Sequence, residues 1–300
     1  MAAFKEIKKR INSIKSTRKT TSAMKMVSSA KLHKAESMIS NMLPYAESLH
    51  RITEVLLTDG YTVRQPAEDV YSVALSSERP LRNVAIVAFA SDSSLCGAFN
   101  SNVSRELRDV VDRYRKSLAD ENIFVYTAGR KVYDAVGKTD IAIAGNFENL
   151  AGKPDYNVIA DFADSLIRRF ENREIDRVEM IYHHFKSAGS QRLINERLLP
   201  VAIPLRTDTQ GRKQEDDRAD YIIEPSREET LKVLMLKSLK LKLYTALLDS
   251  NASEHAARMI AMQTATDNAD DLIGELTVEY NKSRQQAITN ELLDIAGGSM

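Results

Sequence analysis

Glycine and proline are nearly absent from both ends of this 300-residue chain. Residues 1–59 contain no glycine and one proline, Pro44, while residues 226–300 contain no proline and only Gly274 before position 297. Because these residue types end helices, we predict a long helix over 1–59, a domain over 60–225 and a second long helix over 226–300. At ~1.5 Å per residue, about 70 residues form a rod of roughly 100 Å, longer than a compact domain of this size is wide. The helices are therefore expected to project beyond the domain.

Apolar and small residues recur every seven positions along both terminal segments, which is the spacing of a coiled-coil seam. A track in the first segment consists of Ile7, Ile14, Thr21, Ser28, Ala35, Met42, Leu49 and Leu56. A track in the last segment consists of Leu234, Leu241, Leu248, His255, Met262, Ala269 and Leu276. The middle of each seam carries Thr, Ser, Ala and Met rather than Leu, which favours a thin rod that an outer partner surrounds. Two amphipathic helices of a globular bundle are the alternative, and the length of the segments counts against it.

The segment between the terminal helices has the pattern of an α/β domain. Apolar, β-branched runs typical of buried strands occur at 83–91 and 123–127, with helical periodicity between them. The complete prediction is strands at 83–91, 123–127, 178–185 and 192–203, and helices at 99–118 and 157–170. Residues 206–220 contain almost no apolar side chain, so we expect an exposed, mobile loop there.

Charge is unevenly distributed, although 42 Lys and Arg balance 42 Asp and Glu over the whole chain. Residues 1–35 hold ten Lys or Arg and one acid, Glu6. Such a basic end can face an acidic surface of any kind, nucleic acid included. A basic coiled-coil protein that binds nucleic acid is therefore an alternative function. Phe4 is the only Phe, Tyr or Trp in this stretch that could stack on bases, which counts against that function.

The sequence contains no complete nucleotide-binding motif. Residues 137–139 (GKT) resemble the end of a phosphate-binding loop, but Val132 stands where that loop requires glycine. Neither G-x-G-x-x-G nor G-x-S-x-G occurs. No run of 18 apolar residues could span a bilayer, and the first 20 residues lack the apolar core of a secretory signal.

Candidate metal ligands and nucleophiles are equally sparse. His183 and His184 are adjacent, so in a strand they would point to opposite faces, a poor geometry for joint metal binding. Cys96, the only cysteine, follows the first predicted strand, where α/β sheets often bind ligands. It is the candidate nucleophile of a third alternative, an α/β enzyme with helical arms, but no base lies near it in sequence. A small buried residue at a tight turn fits it better. We expect no catalytic residue, no metal and no cofactor.

Both ends of the chain, and two segments between them, carry specific motifs. The C-terminal pattern Ile-Thr-x-Glu-x-x-Asp followed by glycine is formed by Ile288, Thr289, Glu291, Asp294 and Gly298. Further matches are SAMKMV at 22–27, PY at 44–45, SDSSLCGAFN at 91–100 and DYIIEP at 220–225. Together these segments resemble the gamma subunits of bacterial F-type ATP synthases over the whole chain. The departures are Ser93, Ser94 and Ala98, which stand where the family has Arg, Gly and Gly, and Ser299, which stands where the family has Ala.

The resemblance implies a fold, a function and partners. It implies a mixed fold, in which the terminal helices form a long antiparallel coiled coil beside a central Rossmann-like α/β domain. The coil would insert into a ring of alpha and beta subunits, while its base would rest on the membrane ring of c subunits and bind epsilon. One copy would couple proton-driven rotation of the c ring to ATP synthesis or hydrolysis in the beta subunits. It would be a non-catalytic, peripheral subunit of the proton-transporting complex at the cytoplasmic face of the bacterial inner membrane.

The resemblance also assigns partner contacts to individual residues. Met24, Lys25, Arg284, Gln285 and Thr289 match positions that meet the alpha/beta ring, with Arg18 and Lys19 beside the first two. Tyr221 and Glu224 match positions near the c ring. A solvated helix face is the alternative interpretation of the charged members of this set.

Overall fold

The computed structural model describes residues 2–58, 75–148, 150–201 and 222–297. The loop predicted at 206–220 lies outside them. The helices are α1 Ala2–Thr58, α2 Phe99–Arg115, α3 Arg130–Val136, α4 Tyr156–Glu171 and α5 Arg227–Gly297, with a 3₁₀ turn at Asp120–Asn122. The strands are β1 Val84–Phe89, β2 Ile123–Ala128, β3 Ile143–Phe147, β4 Arg177–Ser187 and β5 Ser190–Leu199.

Helices α1 and α5 pair along their length and run antiparallel. Near the start of α1, the Thr21 and Thr266 hydroxyls lie 2.8 Å apart. At the other end of the pair, the Arg227 guanidinium donates to the Leu56 carbonyl. The start of α1 therefore lies against the later part of α5, and the end of α1 against its beginning. The predicted antiparallel coiled coil is confirmed.

The seam of the coil buries mostly small side chains at its middle. Leu32 and Ala35 of α1 pack there against Ala252 and Ala256 of α5. Most residues of the two predicted heptad tracks are buried or partly buried, and the Thr and Ser members bond to main-chain carbonyls of their own helix.

Pro44 lies inside α1, which continues through it. Proline has no N–H to donate to the carbonyl four residues earlier, which belongs to Ser40. Both Ser40 and Pro44 are exposed, so water can satisfy that carbonyl. The missing hydrogen bond is thus placed where it costs least.

The domain contains one five-stranded sheet in the order β3-β2-β1-β4-β5, parallel except for β5, which forms an antiparallel hairpin with β4. Every residue of β1 is buried, as expected of the central strand. Its two faces pack against different elements. Ala85, Val87 and Phe89 belong to a core with α4 and α5, whereas Val84, Ile86 and Ala88 belong to a core with α2 and α3. The sheet is thereby covered by helices on both sides, and the predicted fold class is confirmed.

Two elements were not predicted. Strand β3 (IAGNF) lies at the edge of the sheet, contains Gly145 and is only partly buried, so it lacks the apolar run of its neighbours. Helix α3 has seven residues, too few for a clear helical period. The other predicted strands and helices are present with slightly different ends. The predicted last strand extends to 203, but β5 ends at Leu199 and residues 202–203 lie outside the described ranges.

Candidate functional site

The first candidate surface, which we call the neck, is the part of α1 around Met24 and Lys25. These two side chains are partly buried, whereas the adjacent Met26 and Val27 are 69% and 56% exposed. Large apolar side chains exposed beside basic ones are a common feature of protein-binding surfaces. Met24 and Lys25 are predicted contacts but Met26 and Val27 are not, because exposure cannot be read from an impure heptad pattern.

Basic residues extend the neck toward the start of α1. Arg18 lies 2.7 Å from Asp270 of α5, with about half of each side chain exposed. Arg18, Lys19, Ser22, Ala23 and Met26 line a surface cavity beside this pair. An exposed ion pair contributes little to stability, so an acidic partner could replace Asp270 at Arg18 at little cost.

The second candidate surface is the last part of α5, which we call the tip. Arg284, Gln285 and Thr289 are exposed, and the Thr289 hydroxyl donates to the Gln285 carbonyl at 3.0 Å. Ile288 is 45% exposed and Leu292 is 62% exposed. In the register set by the Thr21–Thr266 contact, the first residues of α1 lie level with Arg284 and Gln285. Beyond them the tip therefore continues without a paired helix among the described residues.

The neck and the tip are separate sites. The same register places Lys25 close to the level of Met262, so at ~1.5 Å per residue Arg284 lies roughly 30 Å further along the rod. The structure therefore does not bring the five residues predicted to meet the ring into a single site. It arranges them at two heights on one rod.

The third predicted contact lies before α5. Glu224 is exposed, and its carbonyl accepts a hydrogen bond from the Thr230 hydroxyl at 3.3 Å. Ile222, two residues earlier, is 92% exposed. Tyr221 lies outside the described residues, so its predicted contact stays a prediction.

The segment 91–100 forms a tight turn after β1 with Cys96 at its centre. Leu95 and Gly97 on either side have positive φ angles of 70° and 59°. The thiol is buried, and the nearby Asn100 side-chain amide lies 3.1 Å from it. Burial raises the pKa of Cys96, which favours the unreactive thiol over the thiolate. The buried-turn interpretation of Cys96 is confirmed, and the environment of the thiol disfavours the enzyme alternative.

Helix α5 covers the carboxyl ends of the parallel strands, the position where open α/β sheets bind ligands. The Ser250 hydroxyl donates to the Phe89 carbonyl of β1 at 3.5 Å, and the Ser253 hydroxyl donates to the His183 carbonyl of β4 at 3.1 Å. The Asn251 amide donates to the Ala151 carbonyl in the connection after β3. The chain's own helix thus occupies the ligand crevice of its Rossmann-like sheet.

The histidine pair behaves as predicted. His183 is buried and its ring stacks on Phe99 with centroids 4.3 Å apart. His184 is exposed on the other face of β4, and its Nδ1 lies 2.5 Å from the Asp249 carboxylate. Within the four described ranges, no three His, Cys, Asp or Glu side chains are grouped so as to hold a metal ion. No described helix carries an apolar stretch long enough to cross a membrane.

Comparison with known proteins identifies the family. The family model described as "ATP synthase" matches residues 3–300. The ATP synthase gamma chain of Bacteroides fragilis is 52% identical over 304 residues, which cover 100% of both chains. The chain belongs to the ATP synthase gamma chain family. The resemblance derived from the terminal motifs is therefore confirmed.

Solved structures share the gamma chain fold. A chain of the rotor of Euglena gracilis mitochondrial ATP synthase matches with a TM-score of 0.60 at 18% identity, covering 96% of this chain and 99% of that one. A chain of the central stalk and c ring of the Tetrahymena thermophila enzyme matches with a TM-score of 0.58 at 23% identity, covering 82% and 99%. These gamma-like folds agree with the coil and sheet described above. The nucleic-acid alternative finds no support among these matches.

Proposed function

We propose that this gamma chain is the central rotor shaft of an F-type ATP synthase. It couples proton-driven rotation of the membrane c ring to ATP synthesis or hydrolysis in the beta subunits, and it carries no catalytic residue of its own. The observation that carries this proposal is the antiparallel pairing of α1 and α5 into a rod whose tip has no partner within the described chain.

The shaft acts by presenting different contacts to three equivalent partners. The neck belongs to α1 alone, so each 120° orientation of the coil offers a different surface to each beta subunit. An orientation that binds one conformation of a nucleotide site more tightly shifts the population of that site. A shift from 1:99 to 99:1 requires about 5.5 kcal/mol, which many modest contacts along a rod can supply.

Each candidate surface has a role in this arrangement. Met24 and Lys25 in the neck meet an acidic segment of the beta subunits, while Arg284, Gln285 and Thr289 in the tip meet loops of the alpha/beta ring. Tyr221 and Glu224 lie at the base, near the c ring, and epsilon also binds there. We propose one copy per complex, peripheral to the cytoplasmic face of the bacterial inner membrane.

Reconstitution with purified alpha and beta subunits tests the assembly. The full chain should bind them and hydrolyse ATP with them, and deletion of 288–300 should weaken assembly or coupling. The truncated chain should keep its α/β domain, because Ile288 and Leu292 are exposed and bury little surface. A truncated chain that couples as well as the full chain would refute the role of the tip.

A charge reversal tests the neck. Lys25→Glu should weaken assembly with the ring or slow hydrolysis, and the effect should shrink as salt is added, because screening weakens contacts between exposed charges. Lys116→Glu is the matched control, since Lys116 is an exposed lysine of the domain at the C-terminus of α2. Equal effects of the two substitutions would contradict a specific contact at Lys25.

A further inference from the structure

The part of α5 that covers the sheet is unusually polar for a buried segment. Six of its polar or charged side chains are less than a tenth exposed: Ser250, Asn251, Ser253, Glu254, His255 and Arg258. Apolar side chains of similar size would bury this face at least as stably, because removing charges from water is costly. Stability alone therefore does not explain the composition of this segment.

Arg258 makes the most specific contacts in the segment. Its guanidinium lies 2.6 Å from the Glu254 carboxylate, and the two side chains are 9% and 7% exposed. It also donates to the Ser93 hydroxyl at 2.8 Å, to the Ser93 carbonyl at 3.3 Å and to the Ser94 carbonyl. We call these four residues the Arg258 junction. It joins the rod to the turn that follows the central strand of the sheet.

We propose that the Arg258 junction fixes the register of the rod on the α/β domain, so that torque applied at the base reaches the coil without slipping. This inference deepens the proposed function, because it assigns to Glu254 and Arg258 the positioning of the shaft. The turn carries Ser93 and Ser94 where the family pattern has Arg and Gly. In this chain the cation that contacts the turn is Arg258 of α5.

The physical reason is the directionality of the contacts. A one-residue slip of a helix moves each side chain by ~1.5 Å along the axis and about 100° around it. Apolar surfaces tolerate such displacements, whereas the buried Arg258 guanidinium would lose its acceptors on Ser93 and Ser94 at once, because Glu254, on the same helix, is the only one of these partners that would move with it. Buried ionic groups are best attested as devices that set register. The hydrogen bonds from Ser250 to β1 and from Ser253 to β4 also oppose a slip of α5 along the sheet.

The experiment replaces the charged pair by apolar side chains of similar length. The double variant Glu254→Met/Arg258→Met leaves no charge unpaired, so the full chain should unfold at a temperature close to that of the wild type. Amide hydrogen exchange at residues 91–98 of the isolated chain should nevertheless be about fivefold faster, the factor that corresponds to one net hydrogen bond of ~1 kcal/mol. In the reconstituted membrane complex, ATP hydrolysis that continues against a full proton gradient should rise by a similar factor.

Two further variants complete the test. Arg258→Lys keeps the charge pair but cannot reach several acceptors at once. It should therefore increase both amide exchange at 91–98 and ATP hydrolysis against a full proton gradient, but by less than the double variant does. If the double variant does not fold, Arg258→Lys alone tests the register role. Arg115→Met is the control, because Arg115 pairs with Asp120 inside the domain, 2.9 Å away and remote from α5. It should leave both measurements unchanged.

The outcomes separate this inference from the proposed function. Unchanged exchange at 91–98 in both junction variants overturns the register role, whether or not the complex assembles. Faster exchange with no increase in ATP hydrolysis against a full proton gradient overturns the proposed role in transmitting torque. Failure of the wild-type chain to assemble with alpha and beta refutes the proposed function, while the exchange measurement still decides the register role.

Discussion

His183 should make the stability of the domain sensitive to acid. Burial lowers the pKa of His183 to about 4, compared with 6.5 for an ordinary histidine. The folded chain therefore keeps the ring neutral at a pH where the unfolded chain protonates it. The stability that the neutral ring provides is complete above about pH 6.5 and is lost as the pH falls from there toward 4.

The expected loss follows from these two pKa values. At pH 5 the unfolded form gains ~2 kcal/mol from protonation of this one ring, whereas at pH 7.5 the gain is close to zero. Burial raises the pKa of Asp249 and of Glu254, so their protonation in acid offsets part of the loss. Both carboxyl groups are retained in a His183 variant, so a comparison of variants isolates the histidine.

The assay is urea unfolding of the full chain at pH 7.5 and pH 5. His183→Gln removes the titrating ring, so its loss of unfolding free energy between the two pH values should be smaller than that of the wild type by ~2 kcal/mol. His33→Gln is the control, because it makes the same substitution at an exposed histidine of α1. An equal loss in the wild type and in His183→Gln would refute the reasoning.

Three further substitutions test the packing. Gly129→Ala should destabilise the domain severely, because the backbone has φ 103° and an added Cβ would collide with the main chain after β1; a soluble variant with wild-type Tm would contradict this. Leu107→Ala should lower the unfolding free energy, measured in urea, by about 2–5 kcal/mol, since Leu107 is fully buried. Val278→Ala, on the exposed side of α5, should change it little. Similar losses in the two variants would argue against the described core. Thr21→Val should lower the unfolding free energy by about 1 kcal/mol or less, because the Thr266 hydroxyl keeps its bond to a main-chain carbonyl. A loss several times larger in thermal unfolding would show that the hydroxyl pair contributes more than the geometry indicates.

The long helices and the central strands could be predicted because their signals are local. Near absence of glycine and proline identifies α1 and α5, and the uniformly apolar run at 84–89 identifies β1 as a strand buried on both faces. Even Pro44 did not disturb the prediction, since its effect is confined to one exposed carbonyl. The same kind of signal is missing from β3, whose edge position needs no continuous apolar run.

The contacts between distant segments could not be predicted in this way. Arg258 stands in a helical sequence where it could equally be a solvated charge, and only the fold brings Ser93 and Ser94 to it. The neck shows the same limitation. Met24 and Lys25 were named through a family motif, while the exposure of Met26 and Val27 depends on which side of α1 faces α5.

The pairing of α1 with α5 has a consequence for the order of synthesis. A ribosome makes α1 first, yet its seam partner begins only at Arg227, after the domain has been translated. Leu32 and Ala35 therefore stay uncovered during most of translation, and contacts of such large sequence separation form slowly. The coil can close only after α5 has been synthesised, so a chain terminated before Arg227 would present a bare apolar stripe to chaperones and proteases.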